Sequence, residues 1–156
     1  MEVLIKSVTK YYVKNYKILN NNFSIFLNKK IFEPNLTTIL LIETAKKLIK
    51  KNDRVLDLGC GSGVVGCYLY KKKCTNFIYG SDVSKAAVNC AMYNAGNLTQ
   101  KYDIRVSNLL NDWNGQKFNL IINDISGISS QLNNLSDWFK FAPNNSGKDG
   151  ISHTIN

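Results

Sequence analysis

The stretch Arg54-Val55-Leu56-Asp57-Leu58-Gly59-Cys60-Gly61-Ser62-Gly63-Val64-Val65-Gly66 constrains this chain more than any other. It reads as a buried strand, a sharp turn and the start of a helix. Val55, Leu56 and Leu58 are apolar, as a central parallel strand requires. Gly59, Gly61 and Gly63 permit positive φ and let the backbone approach a ligand with no Cβ in the way. Val64 to Lys73 has helical spacing, with Val64, Val65, Tyr68 and Leu69 as its packing face. The N–H groups that open this helix point at whatever lies over the turn.

Two ligand classes use such a turn. Gly61-x-Gly63-x-x-Gly66 fits a dinucleotide fingerprint, a weak match when it stands alone. Asp57 argues against it, because a carboxylate at the strand tip would face an anionic pyrophosphate. It suits a ligand with cationic ammonium and sulfonium groups.

The 156 residues provide for one domain with one core. With 44% hydrophobic and 20% charged residues the composition is globular. No apolar run approaches the ~20 residues of a membrane span. The start, MEVLIKSVTK, lacks the basic-then-apolar layout of a signal peptide. A cytoplasmic protein that does not enter the membrane is therefore expected. Cys60, Cys67, Cys74 and Cys90 form no C-x-x-C metal pattern, so no metal site is expected. They read as small buried residues in a reducing compartment, with Cys67 and Cys74 on one face of one helix. A net charge of +9 permits an anionic partner such as RNA. The clusters Lys46-Lys47, Lys50-Lys51 and Lys71-Lys72-Lys73 sit near predicted helix C-termini, where cations are favoured. A solvated structural role accounts for them equally well.

Along the chain, Leu4, Val8, Tyr11 and Tyr12 predict a helix over 2–15. Tyr16 to Leu19 and Phe23 to Leu27 predict a hairpin around Asn20-Asn21-Asn22, covering the ligand side. Pro34 keeps Glu33 extended, up to a helix start near Asn35 or Thr37. Thr38 to Lys51 reads as a helix. Asn76 to Ser81 is a second strand, ending at Asp82. There, about twenty residues past the glycine turn, an acid can accept hydrogen bonds from ribose hydroxyls. Asp82-Val83-Ser84 also reads as a helix cap, and the two roles are compatible if Ser84 caps. Ser84 to Gly96 is a helix, Ile104 to Val106 a third strand, Asn111 to Gln116 a polar loop around Trp113. Phe118 to Gly127 is a fourth strand with its exit. His153, the single histidine, lies in the tail and is not expected to act as a base.

The run VLDLGCGSG strongly resembles the first motif of class I S-adenosylmethionine-dependent methyltransferases, and Phe32-Glu33-Pro34 resembles the F-x-P element of their small-domain group. The resemblance implies an α/β fold with a Rossmann-like methyltransferase sheet. Residues 1–34 form an N-terminal helix and hairpin element, and 35–156 a core in which only the first four of seven strands are recognisable. It implies S-adenosylmethionine as cofactor and methyl transfer to RNA or protein. Phe32 and Pro34 would lie against the methionine end. Asp57, Gly59, Cys60, Gly61 and Gly63 would form the turn, Asp82 would hold the ribose, and Val83 would flank the adenine. Asn108, beside Leu109, stands where the family often has an acid that accepts from the adenine amino group; its amide oxygen can also accept. Phe118 to Gly127 occupies the place of the FDLIVSNPPY segment of amino-group methyltransferases. Asp124 falls on its Asn/Asp position and is the candidate catalytic residue. Ile125, Ser126 and Gly127 replace the two prolines and the aromatic, so a planar amide or adenine acceptor does not carry over. With later strands missing, the fourth strand becomes an open edge that invites a dimer or a completing partner chain. Two other readings stand beside this one. One is a truncated, non-catalytic binding module. The other is a nicotinamide oxidoreductase, which Asp57 opposes.

Overall fold

The computed structural model describes residues 11–124. The chain enters as a hairpin of β1 (Tyr12–Ile18) and β2 (Asn21–Leu27), paired antiparallel from Tyr12 opposite Leu27 to Ile18 opposite Asn21. Ile18, Phe23, Ile25 and Leu27 are buried, so the alternation of a half-buried strand sets its register. Leu19 and Asn20 both take positive φ, 46° and 62°, as a two-residue hairpin turn with the strands' twist requires. This corrects two expectations. Residues 12–15 are strand, not the end of a helix, because their partners on β2 offer a ladder, and Tyr11 is not helical either; residues 2–10 of that expected helix lie outside the described residues. The turn falls on Leu19-Asn20, and Asn21 and Asn22 belong to β2.

Helix α1 (Leu36–Leu48) begins at a reciprocal cap. The Asn35 side chain accepts from the N–H groups of Thr37 and Thr38, and Thr38 Oγ1 accepts from the Asn35 N–H. Then come β3 (Val55–Leu58), α2 (Val64–Lys71), β4 (Ile78–Asp82), α3 (Lys85–Gly96), β5 (Tyr102–Val106), a short 3-10 helix (Asn111–Trp113) and β6 (Leu120–Asn123). The four later strands form one parallel sheet in the order β5-β4-β3-β6. Among the described residues β6 pairs on one side only, with β3. Strand β3 is buried at all four positions, as a central parallel strand must be.

The main core lies between the sheet, the helices and the hairpin, around Ile18, Leu27, Ile42, Tyr68, Leu69, Ile78 and Ala91. Tyr68 is fully buried and its hydroxyl donates to the Ile18 carbonyl at 3.2 Å, which fastens the hairpin to α2. A second, smaller cluster on the other sheet face joins Leu56, Leu58 and Trp113, with Tyr79, Leu109 and Phe118 against it. Trp113, expected in a polar loop, is therefore a core residue. The Arg105 guanidinium lies 4.1 Å above its ring, a cation–π contact that shields the indole. Cys74 lies beyond the end of α2, so it does not share a helix face with Cys67. Cys60, Cys67 and Cys90 are buried and all four cysteines are free. Burial pushes the Cys67 thiol up to about 12 and the Cys90 thiol up to about 11, so neither is a thiolate at neutral pH. Among the described residues, no helix is long and apolar enough to cross a membrane.

The junction of β3 and α2 packs closely against α3. Gly63, the N-cap of α2, has φ 77°, and a Cβ there would stand 3.0 Å from Ala91 Cβ and 3.1 Å from Ala91 Cα on α3. Gly63→Ala combines a left-handed backbone with overpacking, and should cost about 2–4 kcal/mol. Denaturant unfolding checks this; a loss below about 0.5 kcal/mol would show that the turn can shift away from α3.

Candidate functional site

In an open parallel sheet, ligands bind beyond the carboxyl ends of the strands, where the strand order reverses. Here β4 and β6 flank β3, so that point lies over the end of β3. Register brings Leu58 beside Ser81 and Asn123, and Asp82 beside Val106. The glycine turn, Asp82, the 107–110 loop and Asp124 therefore share one edge of the sheet.

The turn is built against the end of β4. The N–H groups of Gly59 and Cys60 both donate to the Ser81 carbonyl, at 2.8 and 2.9 Å. Gly61 N–H donates to Asp82 Oδ2 at 3.0 Å, and Ser84 N–H to Asp82 Oδ1 at 2.8 Å. Gly63 N–H donates to the Cys60 carbonyl at 2.7 Å. Gly59, Gly61 and Gly63 have φ of 75°, 53° and 77°, as their spacing predicts. Among the described residues, a Cβ added at Gly61 would meet nothing within 4 Å, so that side of Gly61 is open.

Asp82 has one partner on each oxygen and keeps acceptor capacity, because a carboxylate takes about four hydrogen bonds. Desolvation raises its pKa, and the Ser84 and Gly61 N–H groups oppose that. Helix α3 is capped by Ser84, whose side chain accepts from Ala87 N–H. Asp82 is thereby free of the capping duty that the sequence allowed it.

Asp57 is buried, and its Oδ2 has no hydrogen-bond partner among the described residues. Burial pushes its carboxyl up to about 7; a hydrogen bond from Gly66 N–H opposes this, and the charges of Asp82 and Asp124 add to it. Asp82 and Asp124 thus disfavour the ionisation of Asp57, a setting that favours a cation. Asp124 is exposed at the exit of β6. Cys60 contributes backbone rather than thiol. Its Sγ packs where a Cβ on Gly80 would come within 3.3 Å, and burial raises its pKa far above the usual range.

Val83 and Asn108 are exposed beside the turn, and Leu109 is half-buried with φ 51°. Ser107 shapes this loop, a role the sequence did not disclose. Its N–H donates to the Asp82 carbonyl at 3.0 Å, and its hydroxyl donates to the Leu109 carbonyl at 2.9 Å. Phe32 and Pro34 follow the hairpin, Phe32 exposed and Pro34 half-buried. Their segment is fixed to β1 through Glu33, which takes a hydrogen bond from Tyr12 and an ion pair from Lys14. Asn94 on α3 also escaped the sequence reading. The available signal was a polar residue on the buried stripe Ala87, Cys90, Ala91, Asn94. Among the described residues, no group of three or more His, Cys, Asp or Glu side chains is placed to hold a metal ion.

The profile of the methyltransferase small domain matches residues 18–124, which contain every described element except β1, of which only Ile18 falls inside. The chain belongs to the methyltransferase small-domain family. It is 38% identical over 89 residues to the ribosomal protein L11 methyltransferase of Thermosipho melanesiensis, covering 57% of this chain and 34% of that protein. The same enzyme of Thermotoga neapolitana is 33% identical over 89 residues, covering 57% of this chain and 33% of that one. The chain spans about a third of the length of these relatives. Among solved structures, the T. thermophilus 16S rRNA N2 G1207 methyltransferase, in complex with AdoMet and guanosine, matches with a TM-score of 0.59 at 16% identity. That match covers 71% of this chain and 32% of the other, and shows a common fold.

The Asp57 carboxyl has a consequence for stability. Its folded pKa of about 7 exceeds its ordinary value of 3.8. Between these values the folded chain holds a proton that the unfolded chain has released. Stability from this group therefore falls as pH rises from about 4 to about 7, and levels off above. Asp57→Asn should flatten that slope. Denaturant unfolding of both proteins between pH 5 and pH 8 measures it, and parallel curves would remove Asp57 as the source.

Proposed function

We propose that this domain binds S-adenosylmethionine over the glycine turn and transfers its methyl group to a ribosomal acceptor, RNA or protein. The observation that carries this reading is the gathering of Asp57, Asp82 and Asp124 around a glycine turn with open space above Gly61. A pyrophosphate would meet these acids as an anion, whereas an ammonium and a sulfonium meet them as cations. The orphaned Oδ2 of Asp57 and the spare acceptor capacity of Asp82 are the kind of sites such a ligand completes.

S-adenosylmethionine, when bound, supplies a methyl group activated by the sulfonium, which passes to a nucleophile and leaves S-adenosylhomocysteine. The residues of the chain position and orient. Asp82 accepts from the ribose hydroxyls while its other lone pairs hold Gly61 and Ser84. Val83 and Leu109 flank the adenine, and Asn108 accepts from the adenine amino group. Phe32 and Pro34 border the methionine end. Asp57 supplies the opposing charge from below. Asp124, exposed at the exit of β6, orients the acceptor and receives its proton where the acceptor must lose one. The ribosomal acceptor is supported by the relatives named as ribosomal protein L11 methyltransferases and by the rRNA methyltransferase of like fold. A ribosomal substrate is consistent with a cytoplasmic protein, and the net charge of +9 suits an RNA-rich surface.

Calorimetric titration with S-adenosylhomocysteine, with NADH as control, tests the donor site. Saturable binding of the first and none of the second is expected; the reverse would favour the nicotinamide reading. Asp82→Ala should weaken S-adenosylhomocysteine binding by about 1–3 kcal/mol, the cost of losing buried hydrogen bonds. Unchanged affinity would take Asp82 out of the site. Asp124→Ala should keep that affinity and lose transfer of labelled methyl from S-adenosylmethionine to undermethylated ribosomal subunits. Retained transfer would exclude Asp124 as the acceptor-orienting group.

A further inference from the structure

Asn94 lies in the last turn of α3 and is buried, yet it touches neither strand end of the candidate site. Its amide is fully engaged. Nδ2 donates to the Phe26 carbonyl at 2.8 Å and to the Ser62 carbonyl at 3.0 Å. Oδ1 accepts from the Phe26 N–H at 2.9 Å. The side chain therefore takes both backbone groups of one residue on β2 and reaches the glycine turn with its remaining proton. One turn earlier, Cys90 Sγ also approaches the Phe26 carbonyl, at 3.2 Å.

The Ser62–Gly63 peptide is then gripped at both ends. Its carbonyl is held by Asn94, and its N–H by the Cys60 carbonyl at 2.7 Å. Ala91, three residues before Asn94 on the same helix face, abuts Gly63. Helix α3 thus fixes the turn by contact and by hydrogen bond, while its Asn94 holds the hairpin that leads into Phe32 and Pro34. Only an amide does this, since it offers two N–H donors and an acceptor in one plane. A carboxylate would face two carbonyls with no proton to give.

We infer that Asn94 is a positioning residue that couples the hairpin to the glycine turn, so that the turn and the Phe32–Pro34 segment respond to the donor ligand as one unit. This rests on the cofactor reading above. Coupling of this kind is reciprocal: a ligand that orders the turn must also order the hairpin at Phe26. The amide resonance of Phe26 in the intact chain, followed by NMR during titration with S-adenosylhomocysteine, reports it. The expected result is a saturable shift of that resonance and slower exchange of its proton. Asn94→Asp should weaken binding at least about tenfold, as loss of buried hydrogen bonds does, and abolish the Phe26 response. Tyr93→Ala, which removes a ring packed on Phe26 at 5.1 Å and leaves the amide in place, should bind within about twofold of the wild type. Binding to the wild type with no response at Phe26 overturns the coupling, and so does wild-type affinity in Asn94→Asp. Should Asn94→Asp fail to fold, the wild-type titration decides alone. No calorimetric binding to the wild type overturns the cofactor reading, and with it this inference.

Discussion

The end of β4 carries the site. Within two residues, the Ser81 carbonyl takes the N–H groups of Gly59 and Cys60, and the Asp82 carboxylate takes those of Gly61 and Ser84. Four donors from the β3–α2 junction and the start of α3 thus converge on one strand end. Backbone N–H groups inside a tight turn need partners, and here β4 supplies them. The chain can reverse sharply after Leu58 because its neighbour in the sheet satisfies the reversal. Removing that neighbour would leave the turn without a fixed shape, whatever its glycines allow.

The same arrangement explains the strained electrostatics. Asp57 is drawn under the turn, where its carboxyl loses water and gains one N–H from Gly66. Asp82 is pulled inward by the two N–H groups it satisfies. Both acids end up desolvated within reach of each other and of Asp124. A structure that needed only stability would gain by replacing one of them with an apolar or amide group. Keeping all three is understandable when a positively charged ligand restores the balance, which is the reading the open space above Gly61 supports.

What was legible in the sequence follows from what is local in the chain. The strand, turn and helix from Val55 to Lys71 are written in consecutive residues: apolar run, three glycines, helical spacing. Asp82 could be found because one βαβ unit fixes its distance from the turn. The hairpin was half legible. Tyr11 and Tyr12 fitted a helical spacing as well as a strand, and only the pairing of Tyr12 with Leu27 decides between them. Trp113 looked like a loop residue because its neighbours are polar. Its burial comes from Leu56, Leu58 and Tyr79, which lie far away in sequence, together with the nearby Phe118. Asn94 escaped for the same reason, since it acts on backbone atoms of Phe26 and Ser62 that the chain brings near only when folded.

These anchors also divide the site into parts that are held and parts that adapt. On one side the turn is tied to β4 through Ser81 and Asp82; on the other it is tied to α3 through Ala91 and Asn94. Between these two walls its peptide planes have little freedom, which suits recognition of a ligand portion that never varies. Phe32, Val83, Asn108 and Asp124 are exposed, each in a connecting segment rather than within a strand or helix. Their positions depend on short connecting segments, and such segments tolerate change without disturbing the sheet. The glycine turn, over which the donor is proposed to lie, is held by shared backbone hydrogen bonds, whereas Asp124, proposed to orient the acceptor, stands where the core does not hold it.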